Sequence, residues 1–154
     1  YTDSHIKSSL SVFFHFKIEN LFTNVLLALN PTYSERGYEK ISTDFFNSIT
    51  LANKEYIKNC IKVLASLRNG FHKEGIHRNS DFTHTVSGYE WKFIRGEVIN
   101  MEIFNLISLL KTIVSGLDSI LISPEILGLP SPIIDAFNAK YVLPSDQDFS
   151  ERGL

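Results

Sequence analysis

Residues 53–73 read NKEYIKNCIKVLASLRNGFHK, and this stretch has the most regular helical periodicity in the sequence. Its apolar side chains recur every three or four residues, at Ile57, Cys60, Ile61, Leu64, Leu67 and Phe71. That spacing aligns them along one face of an α-helix. We therefore predict a core helix over 53–73, which Gly75 closes because glycine readily adopts the left-handed backbone of a helix end.

Four further segments have the spacing of amphipathic helices, at about 9–29, 41–49, 103–121 and 132–141. A proline and a glycine enclose a loop over 31–37, between the first two of these helices. Asn100 is the predicted N-cap of the helix over 103–121, and Pro124 ends it because proline cannot continue a helix.

The periodicity changes from helical to alternating between about 82 and 94. Apolar and aromatic residues alternate on both sides of a Ser87-Gly88 turn, as Phe82, His84 and Val86 before it and Tyr89, Trp91 and Phe93 after it. This pattern predicts a β-hairpin, whose aromatic stripe packs on the helices or, alternatively, stacks nucleic-acid bases. We expect a single all-α domain over 1–154, a four- to five-helix bundle with this small hairpin inserted and a polar tail over about 142–154.

The composition suits a soluble cytoplasmic domain. The chain has 154 residues, and 44% of them are hydrophobic, which is enough for a substantial core. Cys60 is the single cysteine, so an intrachain disulfide and a cysteine-based metal site are excluded. Polar residues interrupt every apolar stretch before the roughly 18 positions that a membrane span needs. We expect no membrane partner and no cofactor, and the formal net charge of -2 provides no general attraction to nucleic acid.

The core stripe of the helix over 53–73 becomes polar at its end. Arg68 and His72 occupy the positions that follow Leu64 at helical spacing. Residues four apart share one helix face, offset by about 40°. A guanidinium can hold two phosphate oxygens, and an imidazole can transfer a proton near neutral pH. The pair therefore suits phosphodiester chemistry.

The segment 68–78 is the most cationic local patch of the chain. It contains one acidic residue, Glu74, and several further donors, namely Asn69, Lys73, His77 and Arg78. The same residues also have a purely structural explanation, because Arg and His in a last helical turn complement the helix dipole and cap free carbonyls. A cationic binding patch and a capped helix end are both compatible with the sequence.

The segment Leu67-Arg68-Asn69-Gly70-Phe71-His72-Lys73-Glu74-Gly75-Ile76-His77 resembles the Arg-Asn-x-x-His helix end of HEPN-type domains. The following hairpin with its Gly-Glu-Val exit extends the resemblance over 57–99. The resemblance implies a homodimeric helical bundle and, for many members of the family, a metal-independent endoribonuclease. The implied catalytic residues are Arg68, Asn69 and His72, and the implied substrate-binding residues are Lys73, His77 and Arg78.

In the implied reaction, His72 acts as general base or acid on the ribose 2′-hydroxyl, and Arg68 stabilises the pentavalent phosphate. Three residues separate Arg68 from His72, which is shorter than the usual catalytic pattern, whereas Arg78 and His84 have that spacing. The alternative class is a non-enzymatic HEPN-like module that dimerises or binds a partner.

Overall fold

The computed structural model describes residues 2–129, with side chains described from Ser4 onward. It is mostly helical, and its elements follow in the order α1 Thr2–Leu29, α2 Tyr38–Ser48, α3 Lys54–Phe71, β1 Phe82–Val86, β2 Tyr89–Phe93, α4 Ile103–Leu121 and α5 Pro124–Leu127. The predicted helical fold with an inserted hairpin is confirmed. It is not a regular four- or five-helix bundle, since α5 is a single turn of four residues.

α3 lies at the centre of the fold. Consecutive side chains in its second half are all buried, namely Val63, Leu64, Ala65, Ser66 and Leu67. Because consecutive residues point in all directions around a helix, this run shows that the second half of α3 is covered on every side, whereas Lys62 just before it is exposed. Its neighbours are α1, α4 and β1. The predicted core helix is confirmed, and Ile61 at its middle is fully buried.

α4 approaches the first half of α3 very closely. A Cβ atom added at Gly116 would lie 3.0 Å from side-chain atoms of Ile57, so only a glycine allows the two helices this separation without a shift of the neighbouring side chain. The predicted contact between the apolar face of α3 and α4 is confirmed. The buried side chains of α4 include Leu106, Leu109, Leu110, Ile113 and Ile120.

Aromatic rings fill the space between α1 and α2. Phe22 stacks on Phe45 with 3.8 Å between the ring centroids, and Phe46 meets Phe22 edge-on at 5.5 Å. All three side chains are buried. Ring pairs bury large apolar areas, so they anchor α2, which is the shortest of the first three helices, to α1.

The hairpin has the predicted turn and register. β1 pairs with β2 in antiparallel orientation, with Phe82 opposite Phe93 and His84 opposite Trp91. Ser87 and Gly88 have φ angles of 50° and 82°, the left-handed backbone of a two-residue hairpin turn. Trp91 and Phe93 are buried in the core, so these two rings are not exposed for stacking on bases.

Two element boundaries differ from the prediction. α1 begins at Thr2, well before residue 9, and the N-cap of α4 is Glu102 rather than Asn100. Lys7 of α1 donates a hydrogen bond from Nζ to the Met101 carbonyl oxygen at 2.9 Å. This tertiary contact fixes the chain immediately before α4, and a local capping rule cannot anticipate it.

The helical spacing over 103–121 predicts one apolar face, which is partly wrong; its members are Ile103, Leu106, Ile107, Leu110, Ile113, Val114, Leu117 and Leu121. Ile107, Val114 and Leu121 are exposed, whereas Leu109 and Ile120 are buried in their place. α4 carries apolar residues around most of its circumference, so their spacing alone does not select the buried face. The predicted helix over 132–141 and the polar tail over 142–154 lie outside the described residues.

Two helices are long and apolar enough to cross a membrane, Ser4–Leu29 and Ile103–Leu121. Of the residues in their most apolar windows, 28% and 33% are buried. Length and composition are weak evidence, because core helices of soluble proteins pass the same test. These helices contain no uninterrupted apolar run of that length, but their mean hydropathy is high because it tolerates isolated polar residues. The expected absence of a membrane partner stays a prediction.

Ile61→Ala is expected to lower the free energy of unfolding by about 2 to 5 kcal/mol, because it leaves a cavity at a fully buried position. The matched control Ile6→Ala removes the same atoms from a side chain that is 48% exposed, and its effect should stay below about 1 kcal/mol. Urea-induced unfolding measures both. Equal losses would contradict the central placement of α3.

Candidate functional site

All six predicted site residues line one open depression of about 380 Å³, named here the Arg68 cleft. Its lining residues are Arg68, Asn69, Gly70, His72, Lys73, His77, Arg78 and Asn79. They belong to the last turn of α3 and to the loop that follows it. The fold therefore places the residues that were proposed from the sequence around a common space.

One carbonyl group holds the tight turn by which the chain leaves α3. The Gly70 carbonyl oxygen accepts hydrogen bonds from the backbone N–H of Lys73 at 2.8 Å and of Gly75 at 2.9 Å. Glu74 and Gly75 have φ angles of 58° and 81°, the left-handed backbone that closes a helix. Gly75 has the predicted left-handed backbone, but α3 already ends at Phe71 and Glu74 is the first left-handed residue after it. The turn brings residues 77–79 back beside the end of α3.

The segment after the hairpin holds the cleft wall in place. Ile76 pairs with Val98 in an isolated antiparallel bridge, and the Gly75 carbonyl oxygen accepts from the Ile99 N–H at 2.8 Å. These backbone bonds satisfy the polar groups of the loop without a ligand. The wall of the cleft is therefore formed before any substrate binds.

Arg68 and Asn69 form a hydrogen-bonded pair at the inner edge of the cleft. The Arg68 Nη1 donates to Asn69 Oδ1 at 3.0 Å, and both residues are half-buried. A partly buried guanidinium with one nitrogen already engaged has less freedom to rotate than an exposed one, which reduces the entropy lost on binding an anion. The contact therefore holds the Arg68 guanidinium in one position at the cleft.

His72, Lys73 and Arg78 form the accessible rim of the cleft, and all three are exposed. His72 is the C-cap residue of α3, with φ and ψ of -72° and -8°, so its backbone stays nearly helical. The side chain therefore keeps the direction expected four residues after Arg68. Each of these groups can reach a bound molecule without a change in the backbone.

His77 is placed differently from the other predicted substrate-binding residues. Its side chain is buried, and Nε2 donates to the Ser80 carbonyl oxygen at 3.0 Å. Its ring packs against Phe93 with 5.3 Å between centroids. His77 thus supports the loop from within, and direct guidance of RNA by its Nε2 would require this bond to break.

A buried histidine near Arg68 was missed in the sequence. His15 of α1 is 3% exposed, and its ring lies 4.3 Å from the Tyr38 ring. Burial, and then the positive charge of Arg68, lower the pKa of His15 to about 4. His15 is neutral at pH 7, so its 3.9 Å contact with Glu19 is not an ion pair.

The sequence did contain a signal for His15. The buried residues of α1 recur at intervals of four and three, and they begin Ser11, His15, Ile18, Phe22 and Val25. Two polar residues occupy the first positions of this stripe. A search for hydrophobic residues at helical spacing therefore does not find His15. A buried histidine within a helical stripe is detectable from spacing, but its proximity to Arg68 is not.

The other spacing match does not form a common site. Arg78 lines the Arg68 cleft, whereas His84 does not. The His84 Nε2 lies 3.7 Å from Cys60 Sγ, and its ring lies 5.3 Å from Tyr56. Burial raises the pKa of the Cys60 thiol to about 11, so this thiol is protonated and unreactive at neutral pH.

Comparisons with family models, curated proteins and solved structures found no match. The HEPN resemblance therefore rests on the residues of this chain alone and stays a prediction. The geometry supports a narrower statement, that one cleft gathers a half-buried Arg-Asn pair, an exposed histidine and two exposed cationic side chains.

Acidification is expected to destabilise the protein through His15. The unfolded chain binds a proton at His15 below its ordinary pKa of 6.5, while the folded protein keeps the imidazole neutral until about pH 4. The free energy of unfolding therefore falls between these pH values, by up to roughly 3 kcal/mol. His15→Gln should flatten this part of the profile measured by urea unfolding. His5→Gln, at an exposed position, is the control, and an unchanged slope in His15→Gln would contradict the assignment.

Proposed function

We propose that the Arg68 cleft binds RNA or a nucleotide phosphate and that the protein is a cytoplasmic, HEPN-like, metal-independent endoribonuclease. The observation that carries this proposal is the lining of the cleft. Arg68, Lys73 and Arg78 supply positive charge, and none of the described residues that line the cleft is acidic. A concave surface with charge of one sign concentrates the counter-ion, which for this cleft is a phosphate.

The roles of the residues follow from their donors. Arg68 offers a planar fork of N–H groups that suits two phosphate oxygens, and it stabilises the charge of a pentavalent phosphate. His72 removes the proton of the ribose 2′-hydroxyl, whose oxygen attacks the adjacent phosphorus. Lys73 and Arg78 hold the neighbouring phosphates of the backbone. The 5′-oxygen leaves and takes up a proton, so the products are a 2′,3′-cyclic phosphate and a 5′-hydroxyl.

Two copies of His72 would supply both proton transfers. One imidazole cannot remove the 2′-hydroxyl proton and donate a proton to the leaving oxygen at the same moment. A homodimer that brings two Arg68 clefts together across a two-fold axis provides one base and one acid without a metal. Bringing the clefts together also brings like charges together, and bound phosphate reduces that repulsion.

A non-enzymatic binding module is the second candidate. Two contacts favour it, because Asn69 already accepts from Arg68 and His77 already donates to Ser80. In this alternative the cleft binds a phosphate-containing partner, and the polar groups maintain the shape of the helix end. Binding without cleavage distinguishes this function from the first.

Cleavage of a mixture of structured and unstructured RNAs in the presence of a chelator tests the enzymatic proposal. His72→Ala and Arg68→Ala are each expected to lower the cleavage rate by about 10²- to 10⁴-fold, because they remove the proton-transfer group and the phosphate-stabilising group. His5→Ala and Arg36→Ala change the same residue types at exposed positions outside the cleft. RNA that binds but stays intact with every variant would support the binding module instead.

The salt dependence of RNA binding reports the phosphate contacts separately from catalysis. Lys73→Ala and Arg78→Ala should each reduce the slope of log affinity against log salt by about 0.7 for single-stranded RNA, because each releases one fewer counter-ion. Fluorescence anisotropy across a salt series measures this slope. Lys92→Ala, on the exposed side of β2, should leave it unchanged. A slope equal to that of the parent protein in both cleft variants would exclude these contacts.

A further inference from the structure

The outer face of α4 carries a second regular stripe, named here the α4 seam. It consists of Phe104, Ile107, Lys111, Val114, Asp118 and Leu121, which are all exposed. Their intervals alternate between three and four residues, the spacing of a helix that pairs with another helix. The exposed fraction of Phe104 is 77%, and the other three apolar side chains are 40–45% exposed.

The α4 seam is separate from the face that packs in the core. The buried side of α4 is centred on Leu106 and Ile113, which lie roughly 80° to 160° from Lys111 and Val114 around the helix. The helix therefore has two apolar faces, of which the described part of the chain covers one. A regular stripe of exposed apolar side chains on a surface helix is typical of an interaction site.

The α4 seam contains one positive and one negative side chain, placed so that the seam is complementary to a second, antiparallel copy of itself. Lys111 lies three residues before Val114, and Asp118 lies four residues after it. Within the described residues neither side chain forms an ion pair. Ile107 and Leu121 lie seven residues before and after Val114. A two-fold axis close to Val114 therefore places opposite charges face to face and apolar residues face to face.

We propose that the α4 seam pairs with the α4 seam of a second copy of this chain, in antiparallel orientation about a two-fold axis near Val114. Lys111 then faces Asp118 of the partner subunit, and the symmetry forms this pair twice. Ile107 faces Leu121 of the partner subunit, and the two Val114 side chains meet on the axis. A single type of helix face thus provides both sides of the interface.

The same charges argue against other arrangements. In a parallel, in-register pair, each Lys111 would meet the partner's Lys111 and each Asp118 the partner's Asp118, which is repulsive. In a bilayer, the two charged side chains would lie on the face exposed to lipid, which is strongly unfavourable for ionised groups. Antiparallel pairing satisfies both charges and covers the apolar residues.

The ends of the α4 seam are also complementary. Phe104 lies at the start of α4, and the antiparallel arrangement directs it towards the partner's region beyond Leu121. Exposed apolar side chains occur there as well, since Ile122 is 69% and Leu127 is 70% exposed. Large apolar groups are therefore available at both ends of the pair, while the charges occupy its middle.

This interface differs from the composite cleft, and it does not depend on the proposed ribonuclease function. Gly116 packs on Ile57, so the centre of the α4 seam lies level with the first half of α3. Arg68 lies in the last turn of α3, about 16 Å further along the helix axis. Antiparallel pairing through α4 thus puts the two Arg68 clefts roughly 30 Å apart at opposite ends of the dimer, so the composite cleft would require a second, separate interface between copies.

Cysteine crosslinking of the full chain tests the position of the axis. Val114→Cys should give a disulfide-linked dimer on mild oxidation, because the two copies meet there. Cys60 is buried and does not compete. Ser119→Cys, on the polar side of α4, is the control and should remain uncrosslinked. Lys73→Cys reports on the composite cleft instead, and crosslinking there without crosslinking at Val114→Cys would overturn the proposal.

Charge reversal tests the pairing without covalent bonds. By analytical ultracentrifugation, Lys111→Asp and Asp118→Lys should each raise the dimer Kd at least about tenfold, because each places like charges together twice. The double variant restores opposite charges and should return the Kd to within about threefold of the parent value. Ser119→Glu controls for an added charge on α4. Two results would show that the proposal is wrong. One is a parent chain that is monomeric at high concentration, as expected if its own C-terminal residues or a lipid bilayer cover the face. The other is a double variant whose dimer Kd does not return towards the parent value.

Discussion

The burial of residues 63–67 of α3 on all sides is the constraint on which the rest of this structure depends. A helical segment covered by neighbours around its whole circumference cannot carry charged side chains without a large desolvation cost. Its second half accordingly contains Val63, Leu64, Ala65, Ser66 and Leu67 in succession. Arg68 is the first residue after this run that is only half-buried. The position of the cationic cleft is therefore a consequence of where the core ends.

The end of α3 also determines the electrostatics of the cleft. The carbonyl groups of a last helical turn carry a partial negative charge, which favours Arg68 there. The turn held by the Gly70 carbonyl then brings Lys73 and Arg78 into the same space. The cleft therefore carries more positive charge than the helix end alone would favour. Burial, and then the positive charge of Arg68, lower the pKa of His15 and keep its imidazole neutral beside this charge.

The apolar residues of α4 form two faces, one buried and one exposed in the described part of the chain. Its inner face packs on α3 through Gly116 and Ile57, while its outer face presents Ile107 and Val114 to solvent in the described part of the chain. This double use explains why α4 meets a membrane-span criterion of length and composition. It also separates the surface available for self-association from the surface around Arg68.

The sequence by itself determined the helix over 53–73, the hairpin register around Ser87-Gly88 and the closeness of the six predicted cleft residues. These features depend on local periodicity, on backbone preferences at a turn and on short separations along the chain. The tertiary structure alone decided that His77 is buried against Phe93, that His15 approaches Arg68 and that Ile107 and Val114 face outward. Each of these depends on contacts between residues far apart in sequence or on a choice between two apolar faces of one helix. Local spacing cannot make that choice, because both faces of α4 satisfy the same helical period.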